Sequence, residues 1–88
     1  MESLFPIGTI VTTDKFERNL MIYGRKQLHV DSGQVWDYVA CLYPFGFIGE
    51  DYNIFFNHED ISKVVFKGFE NDEEVEFRGK IIEFLNQN

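Results

Sequence analysis

The spacing of apolar residues changes once along the chain, and this change constrains the fold more than any other feature of the sequence. Before residue 67 the apolar residues form short β-branched and aromatic runs, which are separated by Gly, Pro, Asn and Asp. Between residues 71 and 86 they recur instead with the period of an amphipathic helix. Strands that are followed by one helix predict an α+β fold rather than a parallel α/β sheet.

The predicted strands are short and lie roughly ten residues apart, as in small all-β units. The strongest is residues 34–43, where Trp36, Tyr38, Ala40 and Leu42 share one face. The others are residues 8–13, 19–23, 27–30, 52–56 and 61–66. This pattern predicts a small curled antiparallel sheet or an SH3-like barrel, with the helix plugging one end or lying across one side. We predict a single domain over residues 1–88, β-rich from about 5 to 67 and helical over 71–86.

The C-terminal segment carries the signals of a helix start and of a wide apolar face. Asn71 is followed three residues later by Glu74, as in a capping box, and the acidic residues 70–76 are predicted to be solvated. The apolar arc covers about half of the helix, more than the roughly 100° needed to dock on one sheet. The excess predicts a second contact, with another copy of the chain or with a helix of a partner. The arc contains Val75, Phe77, Ile81, Ile82, Phe84 and Leu85, and also Arg78.

The charge of the chain argues against a nucleic-acid partner. Fifteen acidic residues against eight basic ones give a net charge of −7, and the basic residues do not cluster. A nucleic-acid binder needs a basic face or groove that neutralises phosphates. We therefore expect no nucleic acid among the partners.

The sequence also predicts a cytoplasmic protein without a membrane segment. Its longest apolar stretches are far shorter than the roughly 20 residues that span a bilayer. Residues 1–6 lack the basic and apolar regions of a signal peptide. The single cysteine, Cys41, allows no internal disulfide and no cysteine-cluster zinc site, as is typical of a reducing compartment.

Few residues offer catalytic chemistry. Cys41 lies in the middle of the predicted strand 34–43, where a small strand residue is expected, and a thiol nucleophile would need His29 or His58 within reach. No glycine-rich phosphate loop, serine elbow or zinc-binding helix motif occurs in the sequence. We predict that the protein is not an enzyme and that it takes no cofactor.

The segment from Asn57 to Asp60 has two interpretations. His58 and Asp60, together with Asp51, are ligand types for a divalent ion, which leaves a small metal-dependent enzyme as an alternative. Their spacing matches neither a helical histidine motif nor an EF-hand. We favour a structural role without a metal, in which the Asn57 and Asp60 side chains bond backbone amides and fix a turn between two strands.

Residues 43–49, with the sequence YPFGFIG, form the segment that we call the aromatic loop. Loops run over the surface, so its large apolar side chains either fold back as a lid over the core or stay exposed for a partner. Together with the helix, the loop supplies the residues predicted to bind another protein. They are Tyr43, Phe45, Phe47 and Ile48 in the loop and Ile81 and Phe84 in the helix.

Five segments carry a resemblance to a known family. They read FPIGTIV at 5–11, LMIYGR at 20–25, WDYVACLYPFGFIG at 36–49, YNIFFNHEDI at 52–61 and VVFKGFENDEE at 64–74. In this order and spacing they resemble a family of small uncharacterised proteins from Gram-positive bacteria. The chain departs from the family pattern at Trp36, where tyrosine is usual, at Phe45, where glutamate is common, and at the polar residues 12–14.

The resemblance implies a cytosolic accessory factor, because such proteins tend to be encoded beside type VII secretion genes and their LXG-domain toxins. It carries no catalytic or binding residue over to this chain. We therefore predict a non-enzymatic protein-binding module, an accessory or targeting factor for an LXG-type toxin, with the helical N-terminal region of that toxin as partner. The alternative is a homo-oligomeric structural or immunity-like protein, for example a homodimer with Ile81 or Phe84 at its interface.

Overall fold

The chain forms one antiparallel sheet with one helix packed against it. A computed structural model describes residues 4–86, with side chains as far as Phe84; residues 1–3 and 87–88 and the Leu85 side chain lie outside the described part. Two 3-10 turns, Glu50–Tyr52 and His58–Asp60, flank the fourth strand. The strands and helix are β1 (Ile10–Thr13), β2 (Phe16–His29), β3 (Gln34–Leu42), β4 (Ile54–Phe56), β5 (Ile61–Phe66) and α1 (Asp72–Asn86).

The strands lie in the order β4-β3-β2-β1-β5, and every neighbouring pair is antiparallel. Among the described residues β4 and β5 do not pair with each other, so the sheet is open and these strands are its edges. Register shifts in three of the four pairings bend the sheet. The predicted curled antiparallel sheet with one C-terminal helix is confirmed, in its open form rather than as a closed barrel.

Strand β2 is continuous over 14 residues, although the sequence predicted two pieces, 19–23 and 27–30, around a turn at Gly24. The glycine serves close packing between strands rather than a turn. A Cβ atom on Gly24 would lie 2.7 Å from Cγ1 of Val39 in β3, which is too close for a real contact. The chain therefore passes straight through the position that was predicted to end the strand.

A β-bulge at Tyr23 decides which residues of β2 face the core. Ile22 pairs with Ala40, but Gly24 pairs with the preceding residue of β3, so Tyr23 is left without a partner in β3. Because side chains alternate between the two faces, one additional residue exchanges the faces of all later positions. Ile22 is fully buried before the bulge, and Arg25, rather than Gly24, occupies a buried position after it.

The largest buried cluster lies on one face of the sheet, and α1 covers part of it, while Val39 and Cys41 of β3 are buried on the opposite face. Ile81 and Ile82 of α1 pack against the buried cluster, so the helix lies across one side of the sheet, the second of the two predicted placements. Full burial of an apolar side chain of this size stabilises a fold by roughly 1.5–3 kcal/mol, and these two partly buried isoleucines contribute a fraction of that each. The buried members of the cluster are Leu4, Val11, Leu20, Ile22, Tyr38, Ala40 and Phe56.

Candidate functional site

The aromatic loop is exposed and does not form a lid. Phe45 and Phe47 are 60% and 59% exposed, and Tyr43 and Ile48 are about half exposed. Gly46 has φ 79° and its N–H donates to the carbonyl of Leu42, so the chain turns back at the end of β3. This tight turn leaves the large side chains on the surface, which resolves the two alternatives that the sequence left open.

Two contacts position the phenylalanine rings of the loop. The guanidinium of Arg18 lies 5.4 Å from the centre of the Phe45 ring, within the range of a cation–π contact. The Phe47 ring meets the edge of Tyr23, with 6.1 Å between the ring centres. The Tyr23 hydroxyl donates to Oδ1 of Asn53 at 2.7 Å, so this tyrosine is held from both ends. Both rings make these contacts although they remain open to solvent.

A groove runs between the flank of α1 and strand β2, and we call it the helix groove. Phe77, Ile81 and Phe84 form its helix wall, and Ile7 and Tyr23 lie on the opposite wall. This part of the groove encloses about 520 Å³. Phe84 is 66% exposed, whereas Ile81 is half-buried because it also packs against the core. One part of the wide apolar arc of α1 therefore packs against the core of the sheet, and the other part is exposed to solvent along the groove.

Tyr23 connects the aromatic loop with the helix groove. Its ring contacts Phe47 of the loop, and Tyr23 is also one of the residues that line the groove. Of the predicted residues, Phe47 therefore contacts Tyr23, and Ile81 and Phe84 line the groove together with it. The structure places Tyr43, Phe45 and Ile48 on the loop, but not in the lining of the groove. Sequence reasoning missed Tyr23, and only the bulge in its strand makes this position distinctive.

A buried ion pair attaches α1 to the sheet. Arg25 is 6% exposed, and its guanidinium donates to both carboxylate oxygens of Glu74, with 2.9 Å from Nη2 to Oε1. Arg78 donates to the carbonyl of Leu4 at 3.0 Å and to the carboxylate of Glu70 at 2.6 Å. We call Arg25, Glu74, Arg78 and Glu70 the polar clamp. Each charge in it has a partner of opposite sign, as burial of charged groups requires.

The polar clamp corrects two predictions about the acidic segment 70–76, namely that Glu74 is solvated and that it completes a capping box with Asn71. Glu74 was expected to be solvated, but its side chain is only 13% exposed, because it pairs with Arg25. The helix start keeps half of the predicted capping box: Oδ1 of Asn71 accepts the N–H of Glu74 at 2.9 Å, while the Glu74 carboxylate is turned to Arg25. Hydrogen bonds from Arg78 and Lys67 lower the pKa of Glu70.

The turn at Asn57 is fixed by side-chain hydrogen bonds, as predicted. The carboxylate of Asp60 accepts the N–H of Asn57 at 2.9 Å, and Oδ1 of Asn57 accepts the N–H of Asp37 at 3.1 Å. Asp37 in turn accepts the N–H of His58 at 2.9 Å. Burial opposes ionisation of Asp37, but the His58 N–H and the Lys26 ammonium outweigh burial and lower the pKa of its carboxyl group.

The Tyr38 hydroxyl forms a hydrogen bond with one ring nitrogen of His58. The N–H of Phe5 donates to the Tyr38 hydroxyl at 3.0 Å, and this hydroxyl lies 2.7 Å from Nδ1 of His58. Burial raises the pKa of Tyr38 to about 12, so the folded state resists loss of the phenolic proton. The hydrogen bond between this hydroxyl and Nδ1 gives His58 a structural role.

The residues considered for metal and nucleophile chemistry are not brought together. In the part of the chain that the structure describes, no group of three or more His, Cys, Asp or Glu side chains is placed to hold a metal ion. The Cys41 thiol is buried and donates to the carbonyl of Met21 at 3.7 Å. Burial raises the pKa of this thiol. His29 lies beside Ser32 and Phe55 instead.

Over residues 4–86, no helix has the length and apolar character needed to cross a membrane.

A protein-family model, described as a domain of unknown function (DUF4176), matches residues 4–77 of the chain. The chain belongs to this family. Comparisons with curated proteins and with solved structures gave no match. The DUF4176 match includes the sheet, the aromatic loop and Tyr23, and it ends at Phe77, before Ile81 and Phe84 of the helix groove.

Proposed function

We propose that this protein is a non-enzymatic protein-binding module that takes up a helical segment of another protein. The observation that carries this proposal is the exposed apolar surface of the aromatic loop and of the helix groove, with Tyr23 in contact with the loop and in the lining of the groove. Monomeric soluble proteins rarely expose large contiguous apolar patches unless these bind a partner. Its principal residues are aromatic, and aromatic side chains are enriched among the residues that dominate binding energy.

We further propose that the protein serves as a cytosolic accessory or targeting factor for a type VII-secreted LXG-type toxin. The support is the resemblance of five segments of the chain to small proteins encoded beside such toxins. The helical N-terminal region of the toxin is the type of partner that an apolar groove beside a helix suits. The net charge of −7 adds long-range attraction toward a basic surface of the partner.

Co-expression with the N-terminal domain of the neighbouring toxin tests both proposals. The wild-type protein is expected to co-purify with that domain, and the variant Phe45→Ser/Phe47→Ser to lose it while its circular dichroism is unchanged. The matched control is Leu28→Ser/Val30→Ser, which removes two exposed apolar side chains at the tip of the β2–β3 hairpin. Failure of the wild type to co-purify contradicts the toxin role. If Phe45→Ser/Phe47→Ser binds the toxin domain as well as the wild type and the control variant do, the role of the loop is contradicted.

A homo-oligomeric structural or immunity-like protein is the second candidate, and the edge strand β5 favours it. Val64, Val65 and Phe66 of this strand are exposed, and an exposed apolar edge strand is a template for pairing with another copy. Light scattering over a range of concentrations distinguishes the candidates. A stable dimer that is lost on Val65→Lys supports self-association, and a monomer at all concentrations excludes it.

A further inference from the structure

Residues 4–6, with the sequence Leu-Phe-Pro, lie against the sheet but belong to no strand or helix, and we call them the docked segment. Their exposure alternates, since Leu4 and Pro6 are buried and Phe5 between them is half-buried. This alternation is that of an extended chain that directs every second side chain to a core. After the docked segment, the N–H of Thr9 donates to the carbonyl of Pro6 at 3.2 Å and closes a turn that leads into β1.

Side chains from the sheet and from α1 satisfy the backbone of the docked segment. The N–H of Phe5 donates to the Tyr38 hydroxyl at 3.0 Å, and the carbonyl of Leu4 accepts from Arg78 at 3.0 Å. The carbonyl of Phe5 accepts from Arg25 at 3.3 Å. Every extended chain offers the same backbone groups, so these three contacts do not depend on the side chains of the segment.

The side chains of the docked segment decide which residues fit. The Phe5 ring stacks on the His58 ring, with 5.0 Å between the ring centres. Leu4 belongs to the buried cluster, and Pro6 is fully buried without an N–H that would need a partner. Main-chain hydrogen bonds combined with pockets for alternate side chains are how proteins recognise extended peptides. We call the side chains that contact the docked segment in this way the peptide slot: Arg25, Tyr38, His58 and Arg78.

The peptide slot keeps its charges paired whether or not the docked segment is present. A guanidinium carries several N–H donors, so Arg25 and Arg78 each bond a carboxylate of the polar clamp and one carbonyl of the segment. Departure of the segment would therefore leave no unpaired buried charge, because Glu74 and Glu70 stay in place. The loss of the segment from the slot is a loss of neutral hydrogen-bond acceptors and of apolar contacts.

We infer that the peptide slot is a second binding site, which receives an extended segment of another protein with the sequence Leu–aromatic–Pro, and that residues 4–6 occupy it in cis. The chemistry of the occupant is given by the residues that are seated there. The slot shares only Arg25 with the lining of the helix groove, and the inference does not rest on the proposed function. A tethered segment competes at an effective concentration of the order of millimolar, so the docked segment acts as an autoinhibitory contact.

A peptide with the sequence of residues 3–9, SLFPIGT, is the probe, and the matched control peptide is SSFPIGT. Dissociation constants are measured by fluorescence anisotropy with the full-length wild type and with Leu4→Ser and Phe5→Ser. Both substitutions weaken the docked segment and leave the slot unchanged. The probe is expected to bind each variant at least about tenfold more tightly than the wild type, because the competing segment has lost apolar contacts. The control peptide is expected to gain no such affinity.

Two double variants locate the binding site of the probe. Tyr38→Phe/Phe5→Ser removes the hydroxyl that accepts a backbone N–H, and it is expected to bind the probe roughly fivefold more weakly than Phe5→Ser. Phe84→Ser/Phe5→Ser removes an aromatic side chain of the helix groove, and it is expected to bind the probe as Phe5→Ser does. The opposite order of these two affinities overturns the assignment to the slot.

A photoreactive probe tests the inference on the wild type, so the test does not depend on the folding of a variant. It carries benzoylphenylalanine in place of its phenylalanine and is used at millimolar concentration. Crosslinks are expected to Tyr38 or His58, and their absence overturns the inference. Equal binding of the probe and the control peptide, or no gain in affinity in variants with native circular dichroism, overturns it too. A dimer in light scattering that Leu4→Ser dissociates identifies the occupant as a second copy and overturns the assignment to a partner protein.

Discussion

Arg25 and Glu74 are 49 positions apart in the sequence, and they form a two-point ion pair that joins the second strand to the first turn of the C-terminal helix. Arg25 also donates to the carbonyl of Phe5 at 3.3 Å, and the Phe77 ring lies 5.9 Å from its guanidinium. The same residue therefore contacts the N-terminal segment, the helix and the floor of the helix groove. The position of α1, and with it the shape of the groove, depends on this pair.

Removal of Glu74 should destabilise the protein strongly. Glu74→Ala leaves the guanidinium of Arg25 buried without its partner, so we expect the free energy of unfolding to fall by about 3 kcal/mol. The matched control is Glu73→Ala, an exposed residue of the same turn, for which the change should stay within about 0.5 kcal/mol. Urea unfolding of both variants measures the difference. Equal stability of the two variants would show that the ion pair does not hold the helix.

Ionisation of Tyr38 should destabilise the protein at high pH. Burial raises its pKa from 10.0 to about 12, so the folded state resists loss of the phenolic proton. The stability linked to this group is complete below pH 10 and is lost as the pH rises toward 12, by about 3 kcal/mol in total. Unfolding of the wild type and of Tyr38→Phe, measured between these pH values, should show a steeper decline for the wild type. Parallel declines would contradict the assignment.

Asp37 should contribute to unfolding in acid. Its pKa is lowered in the folded state, so its contribution is complete above the ordinary value of 3.8 and is lost as the pH falls below that value. Asp37→Asn should lower stability at neutral pH by about 1–2 kcal/mol and should make the decline below pH 4 shallower. Denaturant unfolding at several pH values tests this, with Asp31→Asn at an exposed hairpin position as the control.

Two glycines should respond in opposite ways to substitution by alanine. Gly79 lies in α1 with open space where a Cβ atom would be, so Gly79→Ala should stabilise the protein by up to about 1 kcal/mol. At Gly68 a Cβ atom would collide with the backbone from Ile7 to Thr9, and Gly68→Ala should destabilise by more than about 2 kcal/mol. Thermal unfolding measures both changes. A stable Gly68→Ala protein would mean that the segment 7–9 can move away.

The elements of the fold were predictable because they depend on local patterns. Alternation over 34–43 indicated the strand that became β3, and the change of period near residue 71 indicated α1. The turn at Asn57 was also predictable, since Asn and Asp side chains bond neighbouring backbone groups. Each of these features needs only residues that are near one another in the sequence.

The candidate site was only partly predictable, because its remaining parts depend on contacts between distant segments. The composition of the aromatic loop indicated Phe47, but not whether the loop covered the core. Tyr23 enters the site through a bulge that the alternation of β2 does not reveal. Arg78 lies within the apolar arc of α1, and its partners Leu4 and Glu70 could be identified only from the folded structure.

The bulge at Tyr23 makes the number of residues in the first half of β2 a fixed quantity. Deletion of one residue between Leu20 and Gly24 would restore simple alternation and leave Arg25 on the buried face opposite Tyr38, but it would remove the bulge. Tyr23 would then no longer be held in its present position against the Phe47 ring of the aromatic loop. We therefore expect chains of this family to vary in length in the turns on either side of β2, at residues 14–15 and 30–33, and to keep the length of the strand itself constant.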